Sequence, residues 1–366
     1  MTRRLLPAFL ICACALALGV AGVFAATTTT TLHGGDQLTL KCDASKLSTS
    51  RVDTKTIIAK CAGTNTGPTA TPIAAPPPPS GSAPTVGGCT MFPASNPWNQ
   101  DVSALPVDPN SANYIASVNG NGNRFLHADF GSNPSYGIPF VVVPATQAMK
   151  PITFTAYGSE SDPGPYPIPQ GALIEGGSSS GGDRHVLAVR QGECKLYELY
   201  RAFPNSATGG WNADSGAVYD LGSNALRPDY WTSADAAGLP ILPGLVRYDE
   251  VAAGAISHAL RFTVSRTQMG FIHPATHYAS SSTNANYPPM GLRLRLKASF
   301  DTSLYTGEAR VVLEALKKYG MIVADNGTDW FISGATDSRW NDTDLDQLKG
   351  VPGSAFEVVQ AGPIVK

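Results

Sequence analysis

Residues 172–201 read ALIEGGSSSGGDRHVLAVRQGECKLYELYR, and the reading of this stretch decides the fold. Its strand-forming residues predict three short strands at 172–175, 184–190 and 195–202, joined by a glycine-serine loop and a tight turn. Glu175, Asp183, Arg184, His185 and Glu198 then fall within a few strand lengths of one another. No other stretch gathers as many chemically useful side chains among so many strand formers. It is expected to be the floor of a functional cleft.

Outward from it, residues 89–366 read as one mainly β domain. Further strands are expected at 138–143, 152–157, 217–221, 256–264, 292–298, 321–324 and 330–333, separated by Gly, Pro, Asn and Ser clusters. Residues 308–319 predict a helix: Val312, Ala315, Leu316 and Tyr319 repeat at helical spacing, and Gly320 follows as a stop. A weaker helix is expected near 342–349. Many strands with few helices argue for a β-sandwich or jelly roll carrying one long helix in the C-terminal half.

Before this domain, residues 63–88 form a Pro/Thr/Ser/Gly linker that cannot bury a core. Residues 27–62 form a small β module, read as a disulfide-stapled hairpin of 36–42 and 56–61. Residues 1–25 carry Arg3 and Arg4, an apolar run and a small-residue exit, the pattern of a secretory signal peptide cleaved after Ala25 or Ala26. A loose lipobox at 11–14 would instead anchor the chain through Cys14. The net charge is −2 and 15% of residues are charged, which gives no basic tract for nucleic acid. No stretch after the leader is long enough to span a membrane. Of six cysteines, Cys12 and Cys14 fall in the leader. The even remainder suggests Cys42–Cys61, both in one small segment, and therefore Cys89–Cys194. Free thiols are the alternative. The expected location is secreted or extracellular.

From Cys89 onward the chain resembles a widespread family of secreted bacterial proteins of uncharacterised activity. The resemblance is carried by FPASNPWN at 92–99, GDRHVL at 182–187, the run 223–251, HPATHY at 273–278, and the runs 290–297 and 317–326. It implies a common fold and secretion, and no activity.

Paired carboxylates offer the first chemistry. Glycoside hydrolysis uses two, about 5–10 Å apart, one of them protonated near neutral pH. Glu198 lies in an apolar, aromatic strand that should raise its pKa, as a general acid requires. Glu175 or Asp183 would be its partner, and His185 completes the candidate catalytic set. Structural ion pairs of these acids with Arg184, Arg190 or Arg201 are the competing account. Trp211 and Asp214, in a glycine-flanked loop, have the composition of a sugar subsite. Arg184, His277 and Tyr278 are further candidates for binding substrate. A lyase would use His185, Tyr278 and Arg184: a base takes the proton alpha to a uronate while a cation neutralises the carboxylate. Arg293, Arg295 and Lys297 alternate along one strand as a cationic ridge, more simply explained by acids on neighbouring strands.

Two other motifs are weaker. His127 and Asp129 have the spacing of adjacent ligands in a His-carboxylate-His iron site, with His258, His273 or His277 as the third. Gly177–Gly181 matches G-x-S-x-G, but a strand is expected after it where a nucleophile elbow needs a helix. Arg227 and Asp229 are expected to anchor a long connection. The function these residues favour is a secreted glycoside hydrolase acting on extracellular polysaccharide or cell-wall glycan, with no cofactor and no metal. The alternatives are a non-catalytic carbohydrate-binding or cell-surface protein, and the lyase.

Overall fold

The structure is a computed structural model. It describes residues 83–360 and 362–366, together with the backbone of four strands between residues 26 and 61. The chain divides into two compact units, Met1–Pro72 and Ile73–Lys366. In the first, β1 (Ala26–Thr31) pairs antiparallel with β2 (Gln37–Cys42), and β3 (Leu47–Arg51) with β4 (Ile57–Cys61). The module is thus two hairpins: the segments expected to pair with each other, β2 and β4, each take a different partner. The side chains of Cys42 and Cys61, like the leader, lie outside the described residues.

The second unit begins with β5 (Thr85–Val86), β6 (Cys89–Thr90), α1 (Ser111–Asn119), β7 (His127–Asp129), β8 (Phe140–Val143) and β9 (Ile152–Phe154). Then follow β10 (Val186–Arg190), β11 (Lys195–Tyr200), β12 (Phe203–Asn205), β13 (Gly210–Ala213), β14 (Ser215–Asp220), α2 (Tyr248–Ala252) and β15 (Leu260–Val264). The last elements are β16 (Arg293–Leu296), α3 (Gly307–Lys318), β17 (Met321–Asn326), β18 (Phe331–Ser333), α4 (Asp342–Asp346) and β19 (Phe356–Val358).

Three sheets carry the unit: β14-β11-β10-β8, β12-β13-β9 and β19-β16-β17-β15-β18-β7. The architecture is mainly β with few helices. It does not establish a jelly roll, because β8–β10, β9–β13, β15–β17 and β7–β18 pair parallel. Parallel neighbours need crossover connections, which long loops and helices supply here.

The four-stranded sheet is buried on both faces. Strand side chains alternate, so Leu187, Val189 and Leu196 join one core and Val186, Ala188, Tyr197 and Leu199 another. The first core is shared with the six-stranded sheet and with α3, through residues such as Phe262, Val323 and Leu316. The second is closed by the three-stranded sheet, with Trp211 and Ala213 at its centre. Burial on both faces is why 186–190 and 195–200 read as dense apolar runs rather than as clean alternation.

The helix expected at 308–319 is α3, a three-turn element of ordinary length rather than a long one. Ala309, Val312, Leu313 and Leu316 face the core, and Gly320 ends the helix at φ +67°. A Cβ there would sit 2.1 Å from the Leu294 carbonyl oxygen, so only glycine fits. Cys89 and Cys194 form the expected disulfide, tying β6 to the β10–β11 turn. Residues 172–175 are not a strand. The other neighbour of β10 is β8, and the 172–175 segment reaches the entry of β10 through the bond from Glu175 N–H to the His185 carbonyl. Among the described residues no helix is long and apolar enough to cross a membrane.

Candidate active site

The site grows from the point where the chain enters β10. Just before that strand, the backbone N–H groups of Arg201 and Ala202 bond to the carbonyls of Asp183 and Arg184. On the other side, His185 meets Glu175. The Glu175 carboxylate accepts from His185 Nδ1 at 2.7 Å and from the His185 backbone N–H at 3.2 Å. His185 Nε2 lies 2.9 Å from the Ala234 carbonyl. Both ring nitrogens therefore face acceptors, which suits the imidazolium. Burial alone would lower the His185 pKa, but the Glu175 charge and hydrogen bond reverse this and raise it to about 9. Burial likewise opposes the Glu175 charge, and His185 overcomes it to hold that carboxyl below its usual range.

Two cavities meet beside this pair. One, of about 390 Å³, is lined by Glu175, His185, Asp129 and Arg261. The other, of about 270 Å³, is lined by Tyr157, Tyr200, Asp235 and His277. Asp183, Asp325 and Asn326 line both. Asp325 is the penultimate residue of β17, and its Oδ1 accepts from the Asn326 N–H at 2.6 Å. Burial and the neighbouring Asp235 carboxylate raise its pKa to about 7, against the pull of Arg261. Partial desolvation, then the charges of Glu175 and Asp183, also raise Asp129. Asp183 itself is solvent-exposed.

Behind these acids lies a buried frame. Arg261, on β15, donates from Nε and Nη2 to the two oxygens of Asp235 at 3.1 and 3.0 Å. Its Nη1 reaches Ser333 Oγ at 2.6 Å. Such a bidentate pair fixes the guanidinium in one plane and holds β15, β18 and the 233–236 loop together beneath Asp325.

The sequence-expected residues divide sharply. Glu175, Asp183, His185 and His277 line the cavities. Glu198 does not, which corrects its expected opening onto a groove. It is wholly buried and accepts backbone N–H bonds from Ile241 (2.9 and 3.0 Å) and Leu242 (3.0 Å). Its pKa is raised to about 7 by burial, as its apolar setting predicts, but its partners are backbone. Arg184 is also buried. It donates to the carbonyls of Ala202, Ser178 and Ser180 and stacks over Phe203, so it braces the glycine-serine loop and is not open to substrate. Trp211 is 0% exposed and bonds the Ile168 carbonyl, so it is core and no sugar platform. Asp214 pairs with Arg201 and Thr155, away from both cavities. Tyr278 stacks between Phe271 and His277 and lines neither cavity.

The weaker motifs resolve in the same way. His258 is paired with Glu250 and the Ala259 carbonyl, His273 with Asp229, and His277 with the Ala236 carbonyl. None turns toward His127 and Asp129, and among the described residues no three such ligands converge on a metal position. Arg295 pairs with Glu357, while Arg293 and Lys297 donate to backbone carbonyls, so the cationic ridge is used internally. Arg227 anchors its connection through Asp162 and the Glu160 carbonyl.

Asp325, Asp129 as an acid, Asp235 and Arg261 are absent from the expected catalytic set. A β-bulge explains Asp325. Phe262 pairs with Val323 but Thr263 pairs with Asp325, so Ala324 is the extra residue and the side chains beyond it change phase. The available signal was a carboxylate directly after the apolar run Met321-Ile322-Val323-Ala324. No family model, curated protein or solved structure matches the chain, so the functional reading rests on this geometry.

Proposed function

We propose that this chain is an exported polysaccharide hydrolase in which Asp325 is the general acid and Asp183 its partner carboxylate. The observation that carries this is the position of the two acids. They form the common wall of two cavities, and Asp325 holds its proton up to about pH 7. A glycoside hydrolase needs one protonated and one ionised carboxyl group flanking a bound chain, and a raised pKa lets the acid work near neutrality. The Glu175–His185 and Asp235–Arg261 pairs line the same cavities beside these two. Export is favoured by the leader-like residues 1–25 and by the Cys89–Cys194 disulfide, which needs an oxidising compartment to persist.

The lyase reading loses its parts. The nitrogens of His185 are both engaged and Arg184 is turned into a loop, which removes the base and the cation that a uronate would need. The test is product analysis over a glycan panel with the wild type, Asp325→Asn and Asp183→Asn. Products carrying added water are expected from the wild type, with turnover reduced by about 10²–10⁴-fold in Asp325→Asn. Wild-type turnover in either variant, or unsaturated product ends, overturns the assignment.

A further inference from the structure

We infer that the site is an open groove for the interior of a polysaccharide chain, acting on uncharged or amino-sugar glycans and excluding polyanionic ones. This rests on the hydrolase reading above and adds the substrate class and the mode of attack.

Space continues on both sides of the two acids. On one side is the 270 Å³ cavity lined by Tyr157 and His277. On the other is the 390 Å³ cavity, which runs on into a third, of about 430 Å³, through the shared residues Asp129, Tyr136 and Phe331. An enzyme that trims single sugars from a chain end needs a pocket closed beyond the cleaved bond. Here each side has room for more of the chain, and each volume is near the range that small ligands fill.

Aromatic faces mark both arms. Tyr136 is 57% exposed where the second and third cavities join, and Tyr157 is 48% exposed in the arm beyond Asp183 and Asp325. Exposed tyrosines offer a flat apolar face and a polar tip, which suits the faces and hydroxyls of sugar rings. Phe331, stacked on His127 at 4.8 Å between ring centres, adds a further ring beside Tyr136 where the second and third cavities join.

Charge sets the class of glycan. The cations near the groove are already engaged: His185 by Glu175, Arg261 by Asp235 and Lys349 by Asp346. Among the described residues no cation forms an ion pair with Asp129, Asp183 or Asp325. A uronate or sulfated chain would bring negative charge to a floor holding Asp129, Asp183 and Asp325, where the cations His185 and Arg261 are already paired with Glu175 and Asp235. A neutral chain meets no such barrier, and an amino-sugar chain is attracted.

The experiment follows cleavage of a linear uncharged glucan, a deacetylated amino-sugar polymer and a polyuronate by viscosity, reducing ends and product mass. Viscosity is expected to fall well ahead of reducing-end release on the first two, giving oligosaccharides, with the polyuronate untouched. Single sugars released from the earliest time points would overturn the open groove while leaving hydrolysis standing, and cleavage of the polyuronate would overturn the charge argument. If nothing is cleaved, the hydrolase reading fails and the groove is judged by affinity electrophoresis of the wild type. Retardation by an uncharged or amino-sugar chain but not by polyuronate, weakened about fivefold in Tyr136→Ala, supports the groove. Absence of retardation by all three overturns it.

Discussion

A carboxyl group pushed up to about 7 and lining the cavities separates Asp325 from Glu198, which is wholly buried. If Asp325 delivers the proton to the leaving oxygen, activity requires its protonated form. Turnover should therefore be retained below about pH 7 and decline as pH rises through it, with a tenfold loss per unit well above. A pH–rate profile measures this, and a basic limb unchanged in Asp325→Glu at an altered side-chain length would place the limb on another group. Glu198 has a similar pKa but a different task. Its carboxylate satisfies two backbone N–H groups at the start of the 242–244 turn, so Glu198→Gln keeps one acceptor oxygen and loses the other. That variant should keep turnover and lose about 1 kcal/mol of stability, a Tm drop of a few degrees. Because the folded-state pKa is raised from 4.5 to about 7, the folded state binds the extra proton between those values, and stability falls as pH rises across them. The variant should lack that part of the slope in thermal melts. The sequence made the raised pKa of Glu198 legible, because apolar neighbours are visible in a strand. Its partners were not legible, since they are backbone groups from more than forty residues away.

At the scale of elements, β10 and β11 were legible because their apolar runs are dense and their turn is short. β7, β12, β13 and β19 were not: each spans three or four residues, too few for a period to show. Trp211 illustrates the cost. Read in a loop it resembles a sugar platform, whereas in β13 its ring is sealed between two sheets. The bulge in β17 is equally silent in sequence, and it alone turns Asp325 toward the cavities. The Cys89–Cys194 bond is the one long-range link that cysteine counting supplied. It closes a loop of 105 residues, which includes the glycine-serine loop and the cavity-lining residues Glu175 and Asp183. Removing it frees that segment in the unfolded chain, at an expected cost of about 3–5 kcal/mol. A Cys89→Ser/Cys194→Ser double variant should show this in denaturant melts. A midpoint matching the wild type would mean that β5–β6 and the β10–β11 turn are held as firmly by packing alone.

For the whole molecule, the mainly β reading holds because composition and punctuation report strand content directly. The sheet order escaped it, because parallel pairs such as β8–β10 join segments separated by long irregular connections that carry no pairing signal. The same layering bears on what the second unit needs in order to stand. Among the described residues its two cores draw on Val86 onward, its disulfide lies within it, and every one lining the three cavities is numbered 127 or higher. A chain of residues 83–366 therefore carries all of the core and of the candidate site that the described residues form. Produced in an oxidising compartment, it should melt cooperatively within about 2 °C of the full chain's main transition and match the full chain's turnover of whichever glycan the full chain proves to cleave. Calorimetry and a turnover assay on the two chains decide it. A broad, non-cooperative melt of the shorter chain would show that the second unit draws stability from the segment before residue 83.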